Sequence, residues 1–554
     1  MAGRTAGFCR RVGNCRAVRD ALRWVRELLP SIHKMDISSK TTINTLSAEL
    51  LSDIFLYLYD DRPTWTIKPP IVAQVCRWWR QVAFLAKELW CTVPVRCDQD
   101  RGGRIFLAEL YVERGGDRPL TFMLGYQRDD AIPNAEAMKL VRANANRVRS
   151  LHLFARQKLY HCFDWLGVSG AGAGEASQAW PSLESCRFCV EWPWGSLSCL
   201  LWPNPSFSIP FPSKVCAPNL REFKTGGGVF PFNFDIDQEK IRDLDIDFDD
   251  AENARGFALA KTVSPKIFEN HPNLRTFRAR LSPTLSAVRH DSPFALTVPW
   301  TSQGIGQHTS LRALHLSSGC LAELEWIPPL PRLQRLQLEF RLEKEFASPF
   351  RRPNTDGLFS FLRRVGGEVE YLSLNIPALS MWNPGIWPQI LSLTPKVRAL
   401  CLSEIQEEDN LERLLNVEIT QPALVPFLHT FRWYYDEDAY SDYRPNPIRW
   451  TIDPLLEMLR SRGWPVDDRS EVNNDTTSTS HLTSVFVPKP YEDMLVQPGD
   501  ETRFQEKRMN LQRWNPLLTL EWDEQFYGSY VRRAWEPIGG AMYQAGRGWI
   551  QEVE

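Results

Sequence analysis

Two groups of residues in this chain have types and spacing fit for chemistry. Cys186 and Cys189 form a C-x-x-C with Cys199 and Cys216 downstream, and Asp243, Asp245, Asp247, Asp249 and Asp250 form an acidic run. Four thiolates are a zinc set by residue type. Cys186, however, falls on a core slot of a strand pattern and the later spacings are loose, so the expectation is buried thiols and no bound metal. The acidic run lacks the glycine that a calcium loop needs at its sixth position, and it interleaves Leu244, Ile246 and Phe248. That alternation predicts a strand with one acidic face. The nine histidines show no spacing that pairs one with a nucleophile. No glycine-rich phosphate loop, H-E-x-x-H or nucleophile elbow occurs. The chain is expected to act by binding, without catalysis and without a cofactor.

Composition bounds the elements that must carry such binding. With 554 residues, of which 43% are hydrophobic, the chain can form more than one sizeable core. A net charge of −2 points to neither nucleic acid nor an acidic membrane as partner. No uninterrupted apolar run approaches the roughly 18 residues that span a bilayer. Twelve scattered cysteines without a secretory leader predict free thiols in a reducing compartment, cytoplasmic or nuclear. Residues 1–34 are a basic extension, carrying Arg4, Arg10, Arg11, Arg16, Arg19, Arg23, Arg26 and Lys34 against Asp20 and Glu27. A transit segment, a basic helix that covers the next module or binds a partner, and a translation start at Met35 are all open for it.

The next unit, residues 42–95, is a helical module. Ser47 can cap a helix whose apolar positions Leu50, Leu51, Ile54, Phe55 and Leu58 gather on one face, and Asp60 to Pro63 stop it. A second helix follows Pro69 and Pro70, with Val72, Val75, Cys76, Trp79, Val82 and Ala83 at helical spacing. Two helices this short cannot bury enough surface alone, so their apolar face needs the rest of the chain or another protein.

On these residues the segment resembles an F-box. The matching positions are Leu46, Glu49, Leu50, Leu51, Ile54, Phe55 and Leu58, then Val75, Cys76, Trp79, Arg80, Val82, Ala83, Leu89 and Trp90. Ser47 stands where the family usually has proline, and the loop from Asp60 to Pro70 is long. The resemblance implies that Leu46, Leu50, Leu51, Ile54, Phe55, Leu58, Val75, Cys76, Trp79, Arg80, Leu89 and Trp90 bind a Skp-type adaptor, and through it a cullin.

Beyond Trp90 an apolar-x-x-apolar-x-apolar pattern recurs ten times, starting at Val148, Leu183, Leu220, Ile241, Leu274, Leu311, Leu333, Val369, Val397 and Leu428. The mean spacing is about 31 residues, near the upper end of the leucine-rich-repeat range. Each segment predicts a short strand, and several follow a proline turn, as in W-P-S-L, A-P-N-L and H-P-N-L. Stacked strands would share one core. Upstream, a helix through Ile105 to Tyr111 ending at Gly115 and Gly116, a strand from Pro119 to Leu124 and a helix from about Asn134 to Asn146 lead into the first repeat.

The predicted fold is α/β, an N-terminal helical F-box followed by an irregular leucine-rich-repeat solenoid over 104–465. At its far end a helix is expected from Pro454 to Arg462, closed by Gly463. A polar loop over 466–480 and a region over 481–554 that supplies one strand from His481 to Val487 and a cap would follow. Residues between the core positions of each strand face the opposite, concave side. The candidates there for binding a protein target are His152, Arg187, Asp245, Arg278, His315, Arg335, Tyr371 and Arg432. The expected function is a non-catalytic substrate receptor of a ubiquitin ligase of the SCF type, serving ubiquitin-dependent protein degradation. The alternative is a repeat scaffold or sensor acting without a ligase.

Overall fold

In a computed structural model, residues 46–60, 71–74, 76–96, 102–126, 135–156, 180–191, 217–226, 237–247, 267–280, 306–318, 324, 327–340, 355–375, 386–403, 424–434, 484–488 and 519–523 are described. The basic extension 1–34, the helix expected from Pro454 to Arg462 and the polar loop 466–480 lie outside them.

Helix α1 (Ala48–Asp60) begins where the capping residue predicts. The Leu50 N–H donates to Ser47 Oγ at 3.4 Å, satisfying one of the free donors of the first turn. The second helix differs from expectation. A 3-10 turn (Ile71–Gln74) comes first, and α2 (Arg77–Leu85) starts only after Cys76. Cys76 is extended, and its Sγ accepts from the Trp79 N–H at 3.4 Å, which makes it an N-cap and breaks the helix that the spacing joined.

Strands β1 (Thr92–Arg96), β2 (Leu120–Tyr126) and β3 (Val148–Arg156) are separated by α3 (Gly102–Gly115) and α4 (Ala135–Ala143). Gly116, at φ 60°, ends α3 in the left-handed region that suits glycine. Then come β4 (Ser185–Glu191), β5 (Glu222–Gly226), β6 (Asp243–Asp247), β7 (Thr276–Arg280), β8 (Ala313–Ser318) and β9 (Arg335–Phe340). Helix α5 (Asp356–Val365) leads to β10 (Tyr371–Asn375), and α6 (Ile386–Ser392) leads to β11 (Ala399–Ser403). The series ends with β12 (Thr430–Tyr434), β13 (Ser484–Pro488) and β14 (Thr519–Asp523).

All fourteen strands among the described residues form one sheet in sequence order, and every neighbouring pair is parallel. This is a solenoid, one strand per repeat. Each of the ten pattern segments supplies a strand, β3 to β12. The sheet begins upstream of the expected start at residue 104, because β1 belongs to it. Pro94 lacks an N–H, and β1 is an edge strand, where that is tolerated.

The turns explain why the repeats recur. In W-P-S-L the Leu183 N–H donates to the Trp180 carbonyl at 3.2 Å, and the same turn closes Leu220 on Ala217 and Leu274 on His271. Proline presets φ at its second position. The first and second apolar slots of each strand then point into one continuous core that runs from Leu51 through Leu183, Leu314 and Leu372 to Phe431.

Candidate functional site

The helical pair is fastened to the sheet by aromatic side chains. Phe55 on α1 meets Trp79 on α2 with ring centroids 5.0 Å apart. Trp90 meets Phe84 at 5.6 Å and, edge on, Tyr111 of α3 at 5.1 Å. Trp90 Nε1 donates to the Ala83 carbonyl at 2.7 Å, so the buried indole is satisfied. Arg80 stays exposed while its Nε donates to the Ala73 carbonyl at 2.9 Å, which ties α2 to the 3-10 turn.

This arrangement divides the residues expected to touch an adaptor. Leu51, Ile54, Phe55, Trp79, Leu89 and Trp90 are buried in the chain's own core, so they are not an open docking face. The physical reason is that the end of the solenoid core extends beneath the pair and needs covering. Leu46 and Cys76 are half-buried, and Leu50 is 47% exposed. The side chain of Leu58, and Val75 altogether, lie outside the described residues. Trp78, 37% exposed, and Leu85, 79% exposed, were not singled out from the sequence. A signal existed: they stand seven apart, which puts them on one face of α2.

The strand register sets the second surface. Through it His152, Arg187, Lys224, Asp245, Arg278, His315, Gln337, Ser373, Cys401 and Arg432 become rungs of one row on the face opposite the core. Charges within it are matched. Glu222 Oε1 lies 2.8 Å from Lys224 Nζ and 3.6 Å from Arg187 Nη2, and Asp245 is 3.8 Å from Arg278. Glu339 is 3.7 Å from His315 Nε2. Burial works against the Glu222 carboxylate, but the Lys224 charge and hydrogen bond and the Arg187 charge outweigh it and hold its pKa below the ordinary value. Burial first, then the Arg187 charge, pushes His152 down to about 3, so its ring, hydrogen-bonded to Ser150 Oγ at 2.9 Å, stays neutral.

Two of the expected target contacts are corrected here. Arg187 and His315 retain 2% and 3% of their surface and are not solvated. Rungs sit about 4.8 Å apart, so long side chains on neighbouring strands cover one another. Asp245, Arg278 and Tyr371 are half-buried, as is His152, and Arg335 is exposed. The Tyr371 hydroxyl lies 3.3 Å from Cys401 Sγ. The Arg432 side chain lies outside the described residues.

The remaining candidates for chemistry are structural. Cys186 is buried in its core slot beside Phe188, and burial raises its thiol pKa far out of the nucleophilic range. Asp243 to Asp247 form strand β6, as the alternation predicts. Among the described residues no group of three or more His, Cys, Asp or Glu side chains is placed to hold a metal ion. Among the same residues no helix is long and apolar enough to cross a membrane.

No known family profile matches the sequence, and no curated protein is similar to it. Among solved structures, a leucine-rich-repeat-containing protein from Legionella pneumophila aligns over 61% of this chain and 82% of its own, at 12% identity and a TM-score of 0.26. The repeat architecture described above rests on the strand register of this chain, not on that likeness.

Proposed function

We propose that the chain is a non-catalytic substrate receptor of a cullin-type ubiquitin ligase, with α1 and α2 holding a Skp-type adaptor and the repeats holding a protein target. The reading rests on the resemblance of residues 46–90 to an F-box. One observation supports it most. Leu50 keeps about half its surface in water while Leu51, the next residue, is fully buried. A helix whose only task is to cap a core has no need of a leucine there, and exposed apolar side chains clustered near one another mark contact with partners. Trp78 and Leu85 present two more such side chains on the neighbouring helix, and Arg80 adds an exposed cation. Ser47, at a position where the family usually has proline, still serves as the helix cap.

The second reading, a repeat scaffold acting without a ligase, draws on the continuity of the core from Leu51 into the sheet, which lets the helical pair serve as an N-terminal cap. Affinity purification of the full-length protein separates the two. A receptor brings down a Skp-type adaptor together with a cullin. A scaffold brings down neither.

A further inference from the structure

One column of the sheet is chemically unlike the rest. The residue after the first apolar slot of each repeat donates its N–H to the carbonyl of its counterpart in the preceding repeat. Arg221 donates to Glu184 at 2.8 Å, Arg242 to Arg221 at 2.8 Å, Arg275 to Arg242 at 2.7 Å and Arg312 to Arg275 at 2.9 Å. Four arginines thus stand on consecutive rungs at the rim where the strands begin, over a length of about 14 Å. All four are exposed.

Their pairing sets them apart. In the same column Arg149 is bound to Glu184 at 2.9 Å, and in the adjoining turns Lys240 holds Asp237 at 3.2 Å and Lys396 holds Glu368 at 2.6 Å. Among the described residues, Arg221, Arg242, Arg275 and Arg312 have no acid within ion-pair distance. Like charges on neighbouring strands destabilise a sheet, so the fold alone gives no reason for four in succession.

We infer that this rim docks an acidic polypeptide segment of a partner protein. Arginine suits carboxylates because its planar fork donates two parallel hydrogen bonds to one of them. A strand of extended peptide laid along the rim brings a side chain to the same face about every 6.6 Å, within reach of long side chains spaced about 4.8 Å apart. Nucleic acid fits less well. Among the described residues, the turns beside these rungs present Pro218, Asn219, Pro272, Asn273, Thr309 and Ser310, with no exposed aromatic ring on which a base would stack. The inference is independent of the adaptor reading, since α1 and α2 take no part in it.

The test uses the full-length protein, a fluorescein-labelled oligoglutamate peptide and a labelled single-stranded oligouridylate of matched length, with binding followed by anisotropy at low and moderate salt. The peptide is expected to bind the wild type and to weaken as salt rises. Replacing Arg221, Arg242, Arg275 and Arg312 together by Gln should weaken it about tenfold or more, while Arg149→Gln, which removes a paired arginine, changes it little. Because all four side chains are exposed and their mutual repulsion is removed, the melting temperature of the quadruple variant should equal or exceed that of the wild type. The single charge reversal Arg275→Glu, which needs no multiple change, should cost more affinity than Arg275→Gln. Equal affinity in wild type and quadruple variant, absence of peptide binding by the wild type, or tighter binding of the oligouridylate through the same arginines would each overturn the inference.

Discussion

Trp90 and Tyr111 meet edge to face with ring centroids 5.1 Å apart, and through this contact the helical module and the repeat sheet share one core. The indole also hydrogen-bonds Ala83 on α2, so a single side chain touches the second helix, the first strand's approach and α3. The module is a covered end of the solenoid as well as a surface.

Replacing Trp90 by Ala should therefore destabilise the whole protein, not the module alone. The loss of the ring and its hydrogen bond is worth about 3–5 kcal/mol. Thermal unfolding followed by circular dichroism should show a single transition shifted down by several degrees. An unshifted transition would mean that the module and the sheet are energetically separate.

A tight approach between α5 and α6 rests on a glycine. A Cβ at Gly366 would run into the main-chain oxygen of Leu393 and the methyl group of Thr394, whereas one at Gly367 would meet nothing within 4 Å. Gly366→Ala should cost about 1–3 kcal/mol by forcing this contact apart. Gly367→Ala should leave urea unfolding unchanged, and equal midpoints for the two variants would count against the packing described.

The joint between β7 and β8 is sensitive to acid through the buried imidazole of His271. His271 Nδ1 donates to the Ile267 carbonyl at 2.8 Å, and its pKa is lowered by burial first, with the nearby His308 adding to the effect. In place of a proline turn, His308 Nδ1 accepts the Leu311 N–H at 3.2 Å while Nε2 donates to the His271 carbonyl at 3.0 Å. A histidine held neutral in the fold binds its proton more readily when unfolded, so stability is full above the ordinary imidazole pKa of about 6.5 and falls as pH drops below it. Through His271, folding free energy should decline between about pH 7 and about pH 5, by up to about 1.4 kcal/mol per pH unit. Glu222, whose pKa is lowered, adds its own loss only at more acidic pH. His271→Asn, which retains a donor for Ile267, should flatten the slope in this window, and an unchanged slope would reject the assignment.

The repeats were legible because a short, simple rule generates them: an apolar triplet after a tight turn, as at Leu274, Phe277 and Ala279, leaves a parallel strand little freedom of register. Strand β1 was not legible, since Pro94 argues against a strand unless the strand is known to lie at an edge. Strand β14, Thr519–Asp523, lies outside the ten segments read as repeats and was missed. Alternation told which side of the sheet Arg187 and His315 occupy, but not their depth, which depends on how neighbouring rungs cover them. The arginine rim left a trace in the repeated pairs Leu220–Arg221, Ile241–Arg242, Leu274–Arg275 and Leu311–Arg312, and only the register made them adjacent. For the helical pair, Cys76 broke an expected continuous helix because its thiol serves as a cap, which spacing alone does not reveal.

The proposal of a ligase receptor stands or falls on the exposed apolar side chains of α1 and α2. The direct measurement is capture of a purified Skp-type adaptor by the full-length protein, comparing wild type with the double variant Leu50→Glu and Trp78→Glu and monitoring the melting temperature of both. The account predicts capture by the wild type, loss of at least tenfold in affinity for the variant, and a variant that still melts well above the assay temperature, since Leu50 and Trp78 keep 47% and 37% of their surface in water. Capture of equal strength by both proteins, or no capture by the wild type, would contradict it.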